Sequence, residues 1–154
     1  MSELVKTPRP RVLGGITVKV LTSCGNMYVQ MNWREGKLFE VFATLGHSGS
    51  CASCQSEALT RSVTLGLRCG IACSEYAKEL RGIQCPNPMP FPREVAVMSC
   101  PDAIGKAISE FGSLGPKELI SLLRGRVASD DEETHVRSEM QRLAREREEQ
   151  GLNG

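Results

Sequence analysis

The chain is short of aromatic residues: Phe, Trp and Tyr make up 5% of its 154 positions, with a single Trp. A domain so poor in large side chains builds a modest core, so an added cross-link would help to hold it. Long apolar runs are missing too. Nothing approaches the roughly 18 consecutive apolar residues of a spanning helix, which argues against a membrane protein. The opening MSELVKTPRPRV carries no apolar run of signal-peptide length, so a soluble, cytoplasmic protein is expected. Charge of one sign is not in excess either, since 19 basic and 18 acidic residues leave a net +1. That balance gives no global pull toward nucleic acid or membrane and leaves room only for a local patch. A glycine-rich phosphate loop of P-loop or Rossmann type is also absent.

Cysteine is what the chain does have, seven in all. In a reducing compartment, thiols at this density favour metal ligands or redox groups over a disulfide framework, and the odd count leaves at least one unpaired. One structural zinc ion is the expected use.

Hydrophobic periodicity organises the first hundred residues. Ile16–Leu21, Met27–Trp33 and Leu38–Leu45 alternate and are separated by turn chemistry at Ser23-Cys24-Gly25-Asn26 and Arg34-Glu35-Gly36-Lys37. This spacing predicts a three-stranded antiparallel meander. From Cys51 to Cys69 the pattern turns helical, with Ala58, Leu59, Val63, Leu65 and Leu67 as candidate apolar contacts and Gly70 as a stop. A second helix is expected near Ser74–Leu80. Four prolines between Cys85 and Pro92 make an extended loop. Glu94–Met98 can form a short strand. Pro101 then suits the first turn of a helix running to Phe111, with Cys100 as its cap. Pro116–Arg124 reads as a further short helix. Asp130–Gln150 is dominated by charge, with Val136, Met140 and Leu143 as a stripe too short to specify a coiled coil. The fold class is therefore α+β, the meander packing with two to three helices. A flexible arm over 1–10 precedes a domain over 11–111, and a charged helical extension follows over 112–154.

Helix geometry limits which thiols can share an ion. A straight helix over 51–69 puts Cys51 and Cys69 about 27 Å apart, far beyond one Zn–S coordination sphere. Cys69 and Cys73 are accordingly expected to be packing thiols. Cys24, Cys51, Cys54, Cys85 and Cys100 remain, each at a turn or a helix start. There, free N–H groups and the helix dipole favour a thiolate. Four of these from separate segments would make a tetrahedral all-thiolate site. The sequence has no paired CxxC…CxxC ribbon to choose among them. Cys51-Ala-Ser-Cys54 is also the spacing of a redox dithiol, although such pairs usually sit in a βαβ setting. His47 is a possible replacement ligand, while His135 in the charged tail has no evident partner. Glu57 and Arg61 are spaced to pair on a helix surface. A third use, nucleic-acid binding, would draw on Arg9, Arg11, Lys19, Arg34 and Lys37, with Trp33 and Tyr28 stacking on bases.

Six segments in order carry a family resemblance: Thr22-Ser-Cys-Gly-Asn26, Phe39-Glu-Val-Phe42, Gly49-Ser-Cys51, Glu57-Ala-Leu-Thr-Arg61, Leu80-Arg-Gly-Ile-Gln-Cys-Pro86 and Ser99-Cys-Pro-Asp-Ala-Ile104. Over residues 9–111 the chain resembles the TSCPD domain. That domain is found toward the C-terminus of adenosylcobalamin-dependent (class II) ribonucleotide reductases and as short stand-alone proteins. The namesake motif is kept except that Met98 stands in place of Thr. The resemblance implies Cys24, Cys51, Cys85 and Cys100 as the zinc ligands and favours Cys51 over Cys54. It also implies a place in nucleotide metabolism and DNA replication.

It does not carry the activity of a ribonucleoside-diphosphate reductase, because 154 residues cannot contain the nucleotide- and cobalamin-binding barrel. Two functions follow as expectations. One is an accessory or regulatory module that binds a reductase, another protein or nucleic acid, or self-associates through its C-terminal helix. The other is a thiol relay through Cys51 and Cys54 that serves a reductase.

Overall fold

The computed structural model describes residues 5–46, 49–90, 93 and 96–126. His47, His135, the charged tail from 130 with Val136, Met140 and Leu143, and Glu94-Val95 of the expected short strand lie outside the described residues. The chain divides into two compact units, Met1–Met89 with Val97–Pro116, and Pro90–Ala96 with Lys117–Gly154. All seven cysteines belong to the first.

Alternating residues produce three strands, β1 (Gly14–Thr22), β2 (Gly25–Arg34) and β3 (Lys37–Leu45), antiparallel and in the order β1-β2-β3. Two-residue turns join them. In the second turn Glu35 and Gly36 both have positive φ, 51° and 77°. This is the geometry whose twist matches the flanking strands. The register aligns Val20, Met27 and Leu45, then Val18, Val29 and Ala43, then Ile16, Met31 and Val41 on one apolar face. A register shift at Asn32/Trp33 breaks the alternation, so both of these neighbours are buried.

Helix α1 (Cys51–Arg68) starts at Ser50, whose hydroxyl accepts from the Ser53 N–H. Its buried face is Ser56, Thr60, Val63, Thr64 and Leu67, turned toward β3. Of the expected apolar contacts, Val63 and Leu67 are buried, whereas Ala58 and Leu65 are exposed. The helix phase follows a polar contact. Because β3 is an edge strand, Val41 directs its N–H and C=O away from β2. The Thr64 hydroxyl accepts from that N–H at 2.9 Å and donates to that carbonyl at 2.9 Å. The helix thus covers the open edge of the sheet.

Helices α2 (Cys73–Leu80) and α3 (Cys100–Phe111) pack on each other. Their approach depends on Gly105, where a Cβ would lie 2.8 Å from Leu80 Cβ and 2.9 Å from the Arg81 amide nitrogen. Ala103, Ile104, Ala107, Ile108 and Phe111 bury the inner face of α3. Its cap is Ser99 rather than Cys100, since the Ser99 hydroxyl accepts from the Asp102 N–H at 3.1 Å. Cys100 is the first helical residue and Pro101 follows it. Of the expected strand over 94–98, the described part is one bridge, Met89 to Val97. The helix expected at 116–124 runs over Pro116–Arg126 as α4.

Residues 7–9, read as part of a free arm, are tied down instead. Thr7 exchanges hydrogen bonds with Arg68, its N–H donating to the Arg68 carbonyl while Arg68 Nε donates to the Thr7 carbonyl. Arg9 forks onto Glu40 at 2.8 and 2.9 Å, and Asn32 Nδ2 donates to the same carboxylate at 2.7 Å. Glu40 is only 1% exposed. Burial pushes its carboxyl up, but the bonds from Arg9 and Asn32 and the charges of Arg9 and Arg68 outweigh this and hold it below its ordinary value.

Candidate metal centre

Two of the expected ligands, Cys24 and Cys100, share a hydrogen bond, and Cys85 is near enough to act on Cys100 by its charge. Cys24 lies in the β1–β2 turn, which Thr22 fixes: its hydroxyl donates to the Gly25 carbonyl at 2.8 Å and accepts from the Cys24 N–H at 3.2 Å. Cys85 and Cys100 are drawn together by a ladder between segments 82–85 and 98–102. The Cys85 N–H donates to the Met98 carbonyl at 3.0 Å, and the Ser99 hydroxyl donates to the Ile83 carbonyl. Asp102 clamps both segments at once, accepting from the Gly82 N–H at 2.7 Å on one oxygen and from the Met98 N–H at 2.9 Å on the other. Lys106 Nζ sits 2.8 Å from that second oxygen. Burial pushes the Asp102 carboxyl up; the bonds from Gly82, Lys106 and Met98 more than offset it, so it stays ionised below its ordinary range.

The result is a cluster centred on Cys100. Its thiol is pushed up to about 11, first by burial, then by the charge of Cys24 and a hydrogen bond with it. Thr22 pulls weakly the other way and Cys85 raises it further. A thiol that resists ionisation beside other cysteines belongs to a donor set that a soft cation suits, since metal binding replaces its proton.

Cys51 is placed at the first residue of α1, exposed, and no hydrogen bond or electrostatic contact joins it to the other three. Among the described residues, no three or more His, Cys, Asp or Glu side chains are grouped tightly enough to hold an ion in their present positions. Cys54 is also exposed, its thiol donating to the Cys51 carbonyl at 3.2 Å. Cys69 and Cys73 are half-buried at the far end of α1 and the start of α2. There Cys69 acts on Tyr76, whose phenol is raised by burial and then by that thiol.

Other expected features resolve as follows. Glu57 and Arg61 pair at 3.1 Å on the surface of α1, a contact worth little in water. Trp33 is 8% exposed, and its indole Nε1 is buried without a hydrogen-bond partner. Trp33 is therefore not placed to stack on bases and Arg9 is committed to Glu40, whereas Tyr28, the other expected stacking residue, is exposed. Ser99, Asp102 and Thr22 were not singled out from the sequence as functional. The signal that could have found two of them is the Ser-x-x-Asp spacing of a capping box at Ser99–Asp102. Here the acid reaches back one residue further, to the Met98 N–H.

The family model of the TSCPD domain matches residues 4–112. The chain belongs to the TSCPD domain family. No curated protein and no solved structure matches it. In this TSCPD domain the one departure from the namesake motif is harmless to the clip. Met98 enters the ladder only through its backbone N–H and carbonyl, which any residue but proline supplies. Among the described residues, no helix is long and apolar enough to cross a membrane.

Proposed function

We propose that this TSCPD domain is a zinc-stapled binding module related to the C-terminal domain of class II ribonucleotide reductases. It acts by engaging a protein or nucleic-acid partner in nucleotide metabolism, not by turnover of its own. The observation that supports the reading is that Cys24 and Cys85 both act on the half-buried Cys100 thiol, while a backbone clip ties the Cys85 and Cys100 segments together. Cys51, at the N-terminal end of α1, supplies the fourth thiolate in this proposal, with Cys54 as its neighbour in reserve. When bound, zinc supplies a tetrahedral cross-link among the thiolates. The chain's own part is to present the turn, the proline-loop entrance and two helix starts to one ion. The domain proper spans 11–111 in this reading, and the extension over 112–154 adds its own contact, including self-association.

Native mass spectrometry of protein purified without chelator tests the metal. One zinc per chain is expected, lost in Cys100→Ser and kept in Cys69→Ser. Metal-free wild-type protein sinks the reading. The exposed Cys51–Cys54 pair keeps the thiol relay as a second reading. That relay requires fast labelling of Cys54 and a reversible Cys51–Cys54 disulfide in protein without metal.

A further inference from the structure

Helices α2 and α3 leave between them an open groove of about 650 Å³, within the size range of small-molecule sites. One face of each helix lines it. Ser74, Lys78 and Arg81 come from α2 and the residue after it; Lys106, Ser109 and Ser113 come from α3 and the segment beyond. The spacings, i, i+4, i+7 on the first side and i, i+3, i+7 on the second, put each set on a single stripe.

The side chains that line this groove carry a net positive charge, since Lys78 and Arg81 stand beside the ion pair of Lys106 with Asp102. That carboxylate is 1% exposed, and both its oxygens are occupied by Gly82, Met98 and Lys106, so its charge is matched inside the wall. The other acids of these helices, Glu75, Glu79 and Glu110, do not line the groove. Arg81 Nη1 reaches across to the Ser109 hydroxyl at 3.3 Å, an exposed and long bond that an incoming anion can replace.

We infer that this groove binds a soluble phosphorylated small molecule, its phosphate or diphosphate held by Lys78 and Arg81 with the Ser109 hydroxyl. A guanidinium fork beside an ammonium group and hydroxyls is the donor set that phosphate oxygens match best. The groove is concave and closed on two sides by helices, so it suits a compact ligand rather than a flat surface. None of the four proposed zinc ligands lines it, and the inference stands independently of the metal.

The test uses the full chain, isotope-labelled, titrated with inorganic pyrophosphate at low salt and followed by amide chemical shifts. Saturable shifts confined to residues 74–82 and 105–113 are expected. Lys78→Gln combined with Arg81→Gln should weaken binding at least tenfold while thermal unfolding shows the fold retained. Lys37→Gln, in the exposed β2–β3 turn, should change it less than twofold. Vesicles of phosphatidic acid at matched phosphate should not displace the probe; displacement would reassign the groove to a lipid head group. Shifts that do not saturate, that vanish in chloride of equal ionic strength, or that fall equally in Lys37→Gln would overturn the inference.

Discussion

Replacing Asp102 by Asn keeps the shape of the clip and removes its charge. Asp102 accepts from the Gly82 and Met98 N–H groups and from Lys106. The Lys106 contact contributes least: its side chain is 38% exposed, and such pairs are worth about 0–1 kcal/mol. The two backbone bonds to a buried carboxylate are worth about 1.5–3 kcal/mol each. An Asn carbonyl can keep one of them, while its NH2 faces the other donor. Gly82 is exposed, so its N–H can turn to water. Losing one charge-assisted bond and weakening the other gives a cost of about 2 kcal/mol, or about 7 °C in Tm for a domain of this size.

The pH dependence has a definite sign. Asp102 is held below its ordinary value in the folded state, so its contribution is present above the unfolded pKa of about 4 and is lost as pH falls through the folded value. Urea unfolding of both proteins from pH 7 to pH 3 should therefore show a gap that narrows below about pH 4. Glu40 titrates in both proteins and cancels in the difference. A gap under about 0.5 kcal/mol at pH 7, or one that stays constant down to pH 3, would refute the clip. The same variant should bind zinc more weakly, because Cys85 and Cys100 would no longer be held in register.

Thr64→Val removes the hydroxyl that satisfies both edge groups of Val41; a loss of about 2 kcal/mol is expected by denaturant unfolding with little change in far-UV spectrum. Gly105→Ala drives a methyl into Leu80 and the Arg81 backbone, and should cost about 1–3 kcal/mol, read as a lower thermal midpoint. Glu40→Gln should cost about 1 kcal/mol at pH 7. Because Glu40 is held below its ordinary value in the fold, that cost should fade as pH drops below about 4.

Local chemistry was legible along the chain. Period-2 alternation over 16–45 and the Glu35-Gly36 turn determine the meander, because side-chain period and positive φ are properties of a few adjacent residues. The Ser50 cap and Gly70 bound α1 for the same reason. Helix length likewise separates Cys69 from Cys51 without any tertiary information.

What the sequence could not settle is phase and partnership. The face that α1 buries is chosen by Thr64 meeting an open strand edge, which displaced Leu65 to the surface, and no periodicity encodes an unpaired edge. Residues 7–9 dock because Glu40, buried beside the register shift, needs Arg9. Trp33 is buried by that same shift. At the cysteines, the chain alone determined the short set of turn and helix-start thiols. The tertiary structure decided that Cys24 and Cys85 both act on Cys100, and that Ser99 and Asp102 tie the Cys85 and Cys100 segments together. A backbone clip between residues some twenty positions apart exists only once the segments are packed, which is why its makers looked ordinary in the sequence.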